Sequence, residues 1–188
     1  MASIMEEVKL NLFKKTKIGY KPLSGDPNKQ LEIKVKNDVL YSKFLKYRFR
    51  LPDGARLERF SYNTEWVDNT YYEFTAHFGL NASVSSFITP MSIPANCDEK
   101  MLNADYKKLG RLIIKQSFGV SPEKIKEEKF VNLDCLHFSV LTDRICPNGN
   151  RLYVDEYLYS APYCSIAFMA MCPEDEIYKL KGIFENFK

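Results

Sequence analysis

The stretch from Arg151 to Phe187, RLYVDEYLYSAPYCSIAFMAMCPEDEIYKLKGIFENF, constrains the fold more than any other part of the chain. It opens with period-two alternation, Tyr153, Asp155 and Tyr157 against Val154, Glu156 and Leu158, as a pleated strand requires. Ser160-Ala161-Pro162 interrupts the pattern. Ile166 to Met171 is then apolar at every position, which suits a strand covered on both faces. Pro173 sets φ for a first helical turn, and Glu174, Asp175 and Glu176 place negative charge where a helix dipole is positive. Ile177, Leu180, Phe184 and Phe187 follow at spacings of three and four, predicting a terminal amphipathic helix with one stripe buried on the sheet.

Upstream, short alternating runs end in turns with identifiable chemistry. Tyr47, Phe49 and Leu51 alternate with basic residues and stop at Pro52-Asp53-Gly54, where Pro presets φ and Gly accepts positive φ. Tyr72, Phe74, Ala76 and Phe78 are expected on one face of a strand over 71–78, and Val84, Phe87 and Ile88 give bulk to a second over 83–91. Gly79-Leu80-Asn81 between them predicts a hairpin. Later, Leu136, Phe138, Val140 and Thr142 oppose Leu133, Cys135, His137 and Ser139, and Cys146-Pro147-Asn148-Gly149-Asn150 forms another hairpin turn. Leu31, Ile33 and Val35 read as a half-exposed strand, and 57–66 as a further one.

Between these strands, Leu102, Tyr106, Leu109 and Ile113, broadened by Leu112, predict a long helix from about Asp98 to Phe118, stopped by Gly119. Lys100, Lys107, Lys108, Arg111 and Lys115 take its outer face, the densest basic surface of the chain. That surface is either a solvated helix side or a face for an anionic partner. Residues 1 to about 29 read as a loosely attached extension with one short strand (Val8, Leu10, Leu12), and no linker divides the rest into separate units.

Composition narrows the functional classes. A chain of 188 residues suits one domain burying roughly 70% of its unfolded surface. Its 13 Phe, 12 Tyr and one Trp favour sheet. The net charge of +3 is too small to signal nucleic acid, whose binders concentrate basic charge on one face. No transmembrane run or signal peptide is read. The compartment is therefore cytoplasmic as the sequence stands, or exported if a signal preceded Met1.

Reactive chemistry is thinly represented. The five cysteines, Cys97, Cys135, Cys146, Cys164 and Cys172, include no C-x-x-C pair, and with His77 and His137 they match no zinc module. Reduced, partly buried thiols are expected, with a Cys164–Cys172 disulfide as the alternative in an exported protein. Cys135 and His137 share a strand face about 7 Å apart, a spacing that serves core packing better than a nucleophile–base pair. There is no phosphate-cradling glycine loop, G-x-S-x-G or H-E-x-x-H. No catalytic residue, metal or cofactor is assigned. Tyr62, Trp66, Tyr71, Tyr72, Tyr157 and Tyr159 exceed what one sheet face needs, and such side chains anchor interfaces.

In the order of these elements the chain resembles the PsbP-like superfamily over about residues 40–188. Tyr47 to Gly54 resembles its opening strand and Pro-x-Gly step, Val131 to Thr142 its middle strand, and Ser165 to Lys188 its closing strand, acidic helix start and terminal Phe-Lys. Ala55 stands where the family usually has Trp. The superfamily includes PsbP itself, Ran-release factors, DcrB-type lipoproteins and Eag-type chaperones. The resemblance implies one α+β domain over 40–188, with 1–39 as an N-terminal extension with short strands: an α/β/α sandwich around a central, mainly antiparallel sheet, with one long mid-chain helix and one C-terminal helix, in a non-catalytic accessory or chaperone-like role. The expected function is protein binding through an aromatic face of the sheet, the partner being another protein or a second copy. The alternatives are a lipoprotein-like domain holding a small apolar ligand and an enzyme using Cys135 or Cys164.

Overall fold

The structure, a computed structural model, describes residues 11–16, 19–24, 27–61, 70–90, 106–161 and 164–188. In chain order these form β1 (Asn11–Thr16), β2 (Gly19–Ser24), the helical turn α1 (Pro27–Gln30), β3 (Ile33–Lys36), β4 (Val39–Ser42), β5 (Arg48–Arg50), β6 (Arg56–Glu58), β7 (Tyr71–Phe78) and β8 (Ala82–Pro90). Then come the helix α2 (Tyr106–Phe118), β9 (Lys126–Phe130), β10 (Leu133–Ile145), β11 (Arg151–Ser160) and β12 (Cys164–Pro173). The fold is α+β. Its main sheet has the order β6-β7-β8-β12-β11-β10-β9, beside a three-stranded sheet β3-β4-β5 and the pair β1-β2, and all pairings are antiparallel.

The antiparallel order follows from the turns. Asn37-Asp38 joins β3 to β4 in two residues with φ 51° and 58°, the left-handed pair that a primed hairpin turn needs. Gly79-Leu80-Asn81 and the Cys146–Asn150 turn join the expected hairpins, the latter closed by Cys146 N–H to Asn150 O at 2.8 Å. β9 was not anticipated. It turns into β10 through Val131-Asn132, both at positive φ, and a β-branched residue in that conformation carries no turn signature in sequence.

The main sheet buries both faces. One carries Val154 and Leu158 of β11 with Phe138, Ala167 and Ile114 of α2. The other carries Phe74, Val84, Ile88, Ile166 and Phe168 under the small sheet. Tyr153, Tyr157 and Tyr159 pack against this second cluster, so the alternation read along β11 holds.

Two expected helices differ from the structure. The C-terminal segment is 3-10 in two runs, Glu174–Leu180 and Ile183–Asn186, separated at Gly182 with φ 73°. Three residues per turn aligns Ile177, Leu180 and Ile183, a spacing of three that the sequence contains and an α-helical reading passes over. Leu180 and Ile183 are buried and Ile177 and Phe184 pack on the same cluster, so the inward stripe survives the change of helix type.

Within α2, residues 98–105 of the expected helix lie outside the described residues. The stripe is rotated from the expected one: Gly110 and Ile114 are buried, while Leu112 and Ile113 are exposed at 48% and 37%. Gly110 causes the rotation. A Cβ there would meet Leu136 Cδ1 at 2.8 Å and Ser160 Cβ at 3.3 Å, so the helix backbone lies directly on the sheet at this point.

The chain end closes the small sheet onto the main one. Arg48 and Lys188 exchange backbone hydrogen bonds of 2.8 Å each way, bridging Phe49 to Phe187. The Phe187 ring then lies 4.4 Å from Phe49, 5.3 Å from Tyr47, 5.2 Å from Phe130 and 5.4 Å from Phe168.

Phe187→Ala is expected to lower unfolding free energy by about 3–5 kcal/mol in urea titrations, the range for a buried aromatic. A loss under about 1 kcal/mol contradicts the anchoring role. Gly110→Ala is expected to cost about 1 kcal/mol despite Ala's better helix propensity, because overpacking outweighs it. The Leu136→Ala background should reduce that cost.

Candidate functional site

The main sheet is irregular at one place that bears on function. Tyr72 pairs with Phe87 and Phe74 with Ser86, which leaves Glu73 as an extra residue on β7. A bulge turns two consecutive side chains to one face, and Glu73 and Phe74 both point toward the small sheet. Tyr72 consequently pairs with Phe87 on the α2 face instead of sharing a face with Phe74, Ala76 and Phe78 as expected.

Glu73 is buried and accepts three hydroxyl donors. Ser42 Oγ reaches Oε1 at 2.6 Å, and Tyr47 Oη and Ser86 Oγ each reach Oε2 at 2.9 Å. Ser42 Oγ in turn accepts the Leu45 backbone N–H at 2.9 Å. Burial raises the pKa of the Glu73 carboxyl, and the three donors pull against that rise. The Tyr47 phenol is raised well above its ordinary value by burial and by the neighbouring carboxylate.

Beside this network lies a cavity of about 130 Å³. Leu31, Ile33, Phe60 and Tyr72 supply its apolar wall. Asn28, Glu32, Arg59 and Glu73 supply polar groups, and Glu73 is the most buried of the eight. Phe60 stacks on Tyr72 with ring centres 5.0 Å apart, and Tyr72 lies 5.2 Å from Phe87. This half-buried ladder of three rings crosses the β7 end of the sheet.

The other candidate aromatics are distributed differently. Tyr71 is buried opposite Ile88, on the face away from Tyr72. Tyr62 and Trp66 lie outside the described residues. Tyr157 and Tyr159 are half-buried on the cluster beneath the small sheet. Tyr157 stacks on His137 at 4.1 Å and on Phe130 at 4.2 Å, and burial pushes its phenol up to about 12.

His137 faces Asp155 rather than Cys135: Nε2 lies 2.8 Å from Asp155 Oδ1. Nδ1 is 3.4 Å from Glu128 Oε2, close enough for an ion pair but outside hydrogen-bonding geometry. Cys135 is fully buried, and desolvation pushes its thiol up to about 12, far from the thiolate a nucleophile needs. Cys164 and Cys172 lie eight positions apart on β12, roughly 26 Å at strand rise, so that pair cannot form a disulfide. Cys97 lies outside the described residues. His77 bonds Glu58 at 3.0 Å on the exposed side of β7.

The basic helix face is partly neutralised. Lys107 Nζ pairs with Glu127 of β9 at 2.6 Å. Arg111 reaches the same carboxylate at 3.1 Å and donates to the carbonyls of Pro122 and Ile125 at 3.0 and 2.9 Å. Lys108 and Lys115 are exposed, and Lys100 lies outside the described residues.

On the α2 face of β11, Glu156 is buried between Phe138 and Met169 in register. Desolvation alone pushes its carboxyl up to about 8. Sequence alternation placed Glu156 on that face, but its burial depends on what packs over it. Among the described residues no group of three His, Cys, Asp or Glu side chains could hold a metal ion, and no helix is long and apolar enough to cross a membrane. No family model, curated protein or solved structure matches the chain.

Glu156 gives a pH prediction. The folded protein keeps a proton that the unfolded chain releases above about 4.5, so this residue's contribution is most favourable below pH 4.5 and is lost as pH rises to about 8. Glu156→Gln should therefore gain stability relative to the parent between pH 5 and 8, by up to roughly 1.4 kcal/mol per pH unit. Parallel stability–pH curves for the two proteins contradict this assignment.

Proposed function

We propose that the chain is a non-catalytic binding or assembly domain of PsbP-like type that holds another protein through aromatic side chains at the β7 end of its main sheet. The ladder of Phe60, Tyr72 and Phe87 carries this reading. Three rings in sequence combine large apolar area with low conformational entropy, and all three keep part of their surface accessible. The α/β/α sandwich of that superfamily is supported on one side by α2, packed against β10 and β11. On the other side the small sheet and the 3-10 runs take the place of a second helical layer. Burial of Cys135, Cys164 and Cys172 favours binding over thiol chemistry.

A photo-crosslinking residue placed at Phe60 in the native host tests this reading. A discrete adduct is expected from Phe60 and not from Leu80 or Tyr178, which are 86% and 71% exposed elsewhere. Equal labelling from all three positions, or no adduct from Phe60, rejects the aromatic ladder as the docking face.

A further inference from the structure

We propose that the cavity beside Glu73 is a binding site for a small zwitterion, an amino acid with a short aliphatic body whose ammonium meets Glu73 and whose carboxylate meets Arg59. The occupant follows from complementarity of size and charge. The cavity measures about 130 Å³. A cavity of roughly 150 Å³ accepts benzene, so this one encloses about five heavy atoms, and the ligand's carboxylate reaches outward to the exposed Arg59.

Its lining carries both signs. Glu73 is buried with three hydroxyl donors, and among the described residues no basic side chain pairs with it. A carboxylate accepts about four hydrogen bonds, so one acceptor position is left. A buried carboxylate without a counter-cation is costly, and an ammonium from a ligand removes that cost. Arg59 is exposed at the same cavity and makes no ion pair among the described residues, which leaves its planar fork available to a carboxylate.

The remaining wall selects the body of the ligand. Leu31, Ile33, Phe60 and Tyr72 offer an apolar surface for a few methylenes. A purely apolar molecule would leave Glu73 uncompensated, and a simple anion would be repelled by Glu32 and Glu73. This site stands apart from the protein-docking reading: it uses the interior of the cavity, whereas docking uses the outer surfaces of the rings.

γ-Aminobutyrate, n-butylamine and butyrate, titrated into the full chain and followed by amide chemical shifts, form the test. Saturable shifts at residues around Glu73 are expected with γ-aminobutyrate below about 10 mM, with each half-molecule at least about tenfold weaker. Arg59→Ala, an exposed change that keeps the fold, should weaken γ-aminobutyrate about tenfold and leave n-butylamine unchanged. Glu73→Gln should abolish binding of both amines, provided its circular dichroism matches the parent. Three results overturn the proposal: no saturation by γ-aminobutyrate, equal affinity for all three probes, or wild-type affinity in Arg59→Ala. Loss of the cross-link from Phe60 with amino-acid binding retained rejects only the docking face.

Discussion

The bridge between the last residues and β5 holds the two sheets together. β5 has three residues, and its sheet has three short strands, at the lower limit of what is stable alone. The Arg48–Lys188 backbone bonds add the chain terminus as a fourth edge. They also deliver the Phe187 ring among Tyr47, Phe49 and Phe74 on one side and Phe130 and Phe168 on the other. Edge-to-face and tilted rings at these distances contribute beyond the area they bury. The Glu73 network depends on this closure, because two of its three donors, Ser42 and Tyr47, come from the small-sheet segment.

The bulge at Glu73 links packing to chemistry. It places a carboxylate between two sheets, where an apolar residue would ordinarily pack, and turns Tyr72 outward into the ring ladder. One extra backbone residue thus lets a buried carboxylate and two rings of the aromatic ladder, Phe60 and Tyr72, line one cavity. Glu156, buried on the α2 face, has no hydroxyl donor among the described residues, and desolvation is what displaces its carboxyl. Hydrogen bonds to the charged form are the physical difference between the two acids.

The helix shows where reading by hydrophobicity falters. Leu109, Leu112 and Ile113 are three of the bulky apolar residues of α2, and the spacing of Leu109 and Ile113 puts the buried stripe on their side. The sheet instead selects Gly110, whose missing side chain permits the closest approach. A scale that scores side chains cannot register that preference. Likewise, Lys107 and Arg111 are basic in any count, but Glu127 on an unforeseen strand binds both.

Local sequence determined the strand alternation along β10 and β11, the continuous apolar run of β12, the turns at Asn37-Asp38, Pro52-Asp53-Gly54, Gly79-Leu80-Asn81 and Cys146–Asn150, and the inward stripe of the C-terminal segment. These depend on φ preferences and side-chain period within a few residues, so they are legible without partners. Tertiary structure decided the bulge that redirects Tyr72 and Glu73, the rotation of α2, the 3-10 form of the chain end and the cavity between α1, β3 and β7. Each arises where segments far apart in sequence compete for the same space, and packing between them outweighs the weaker preference of the local chain.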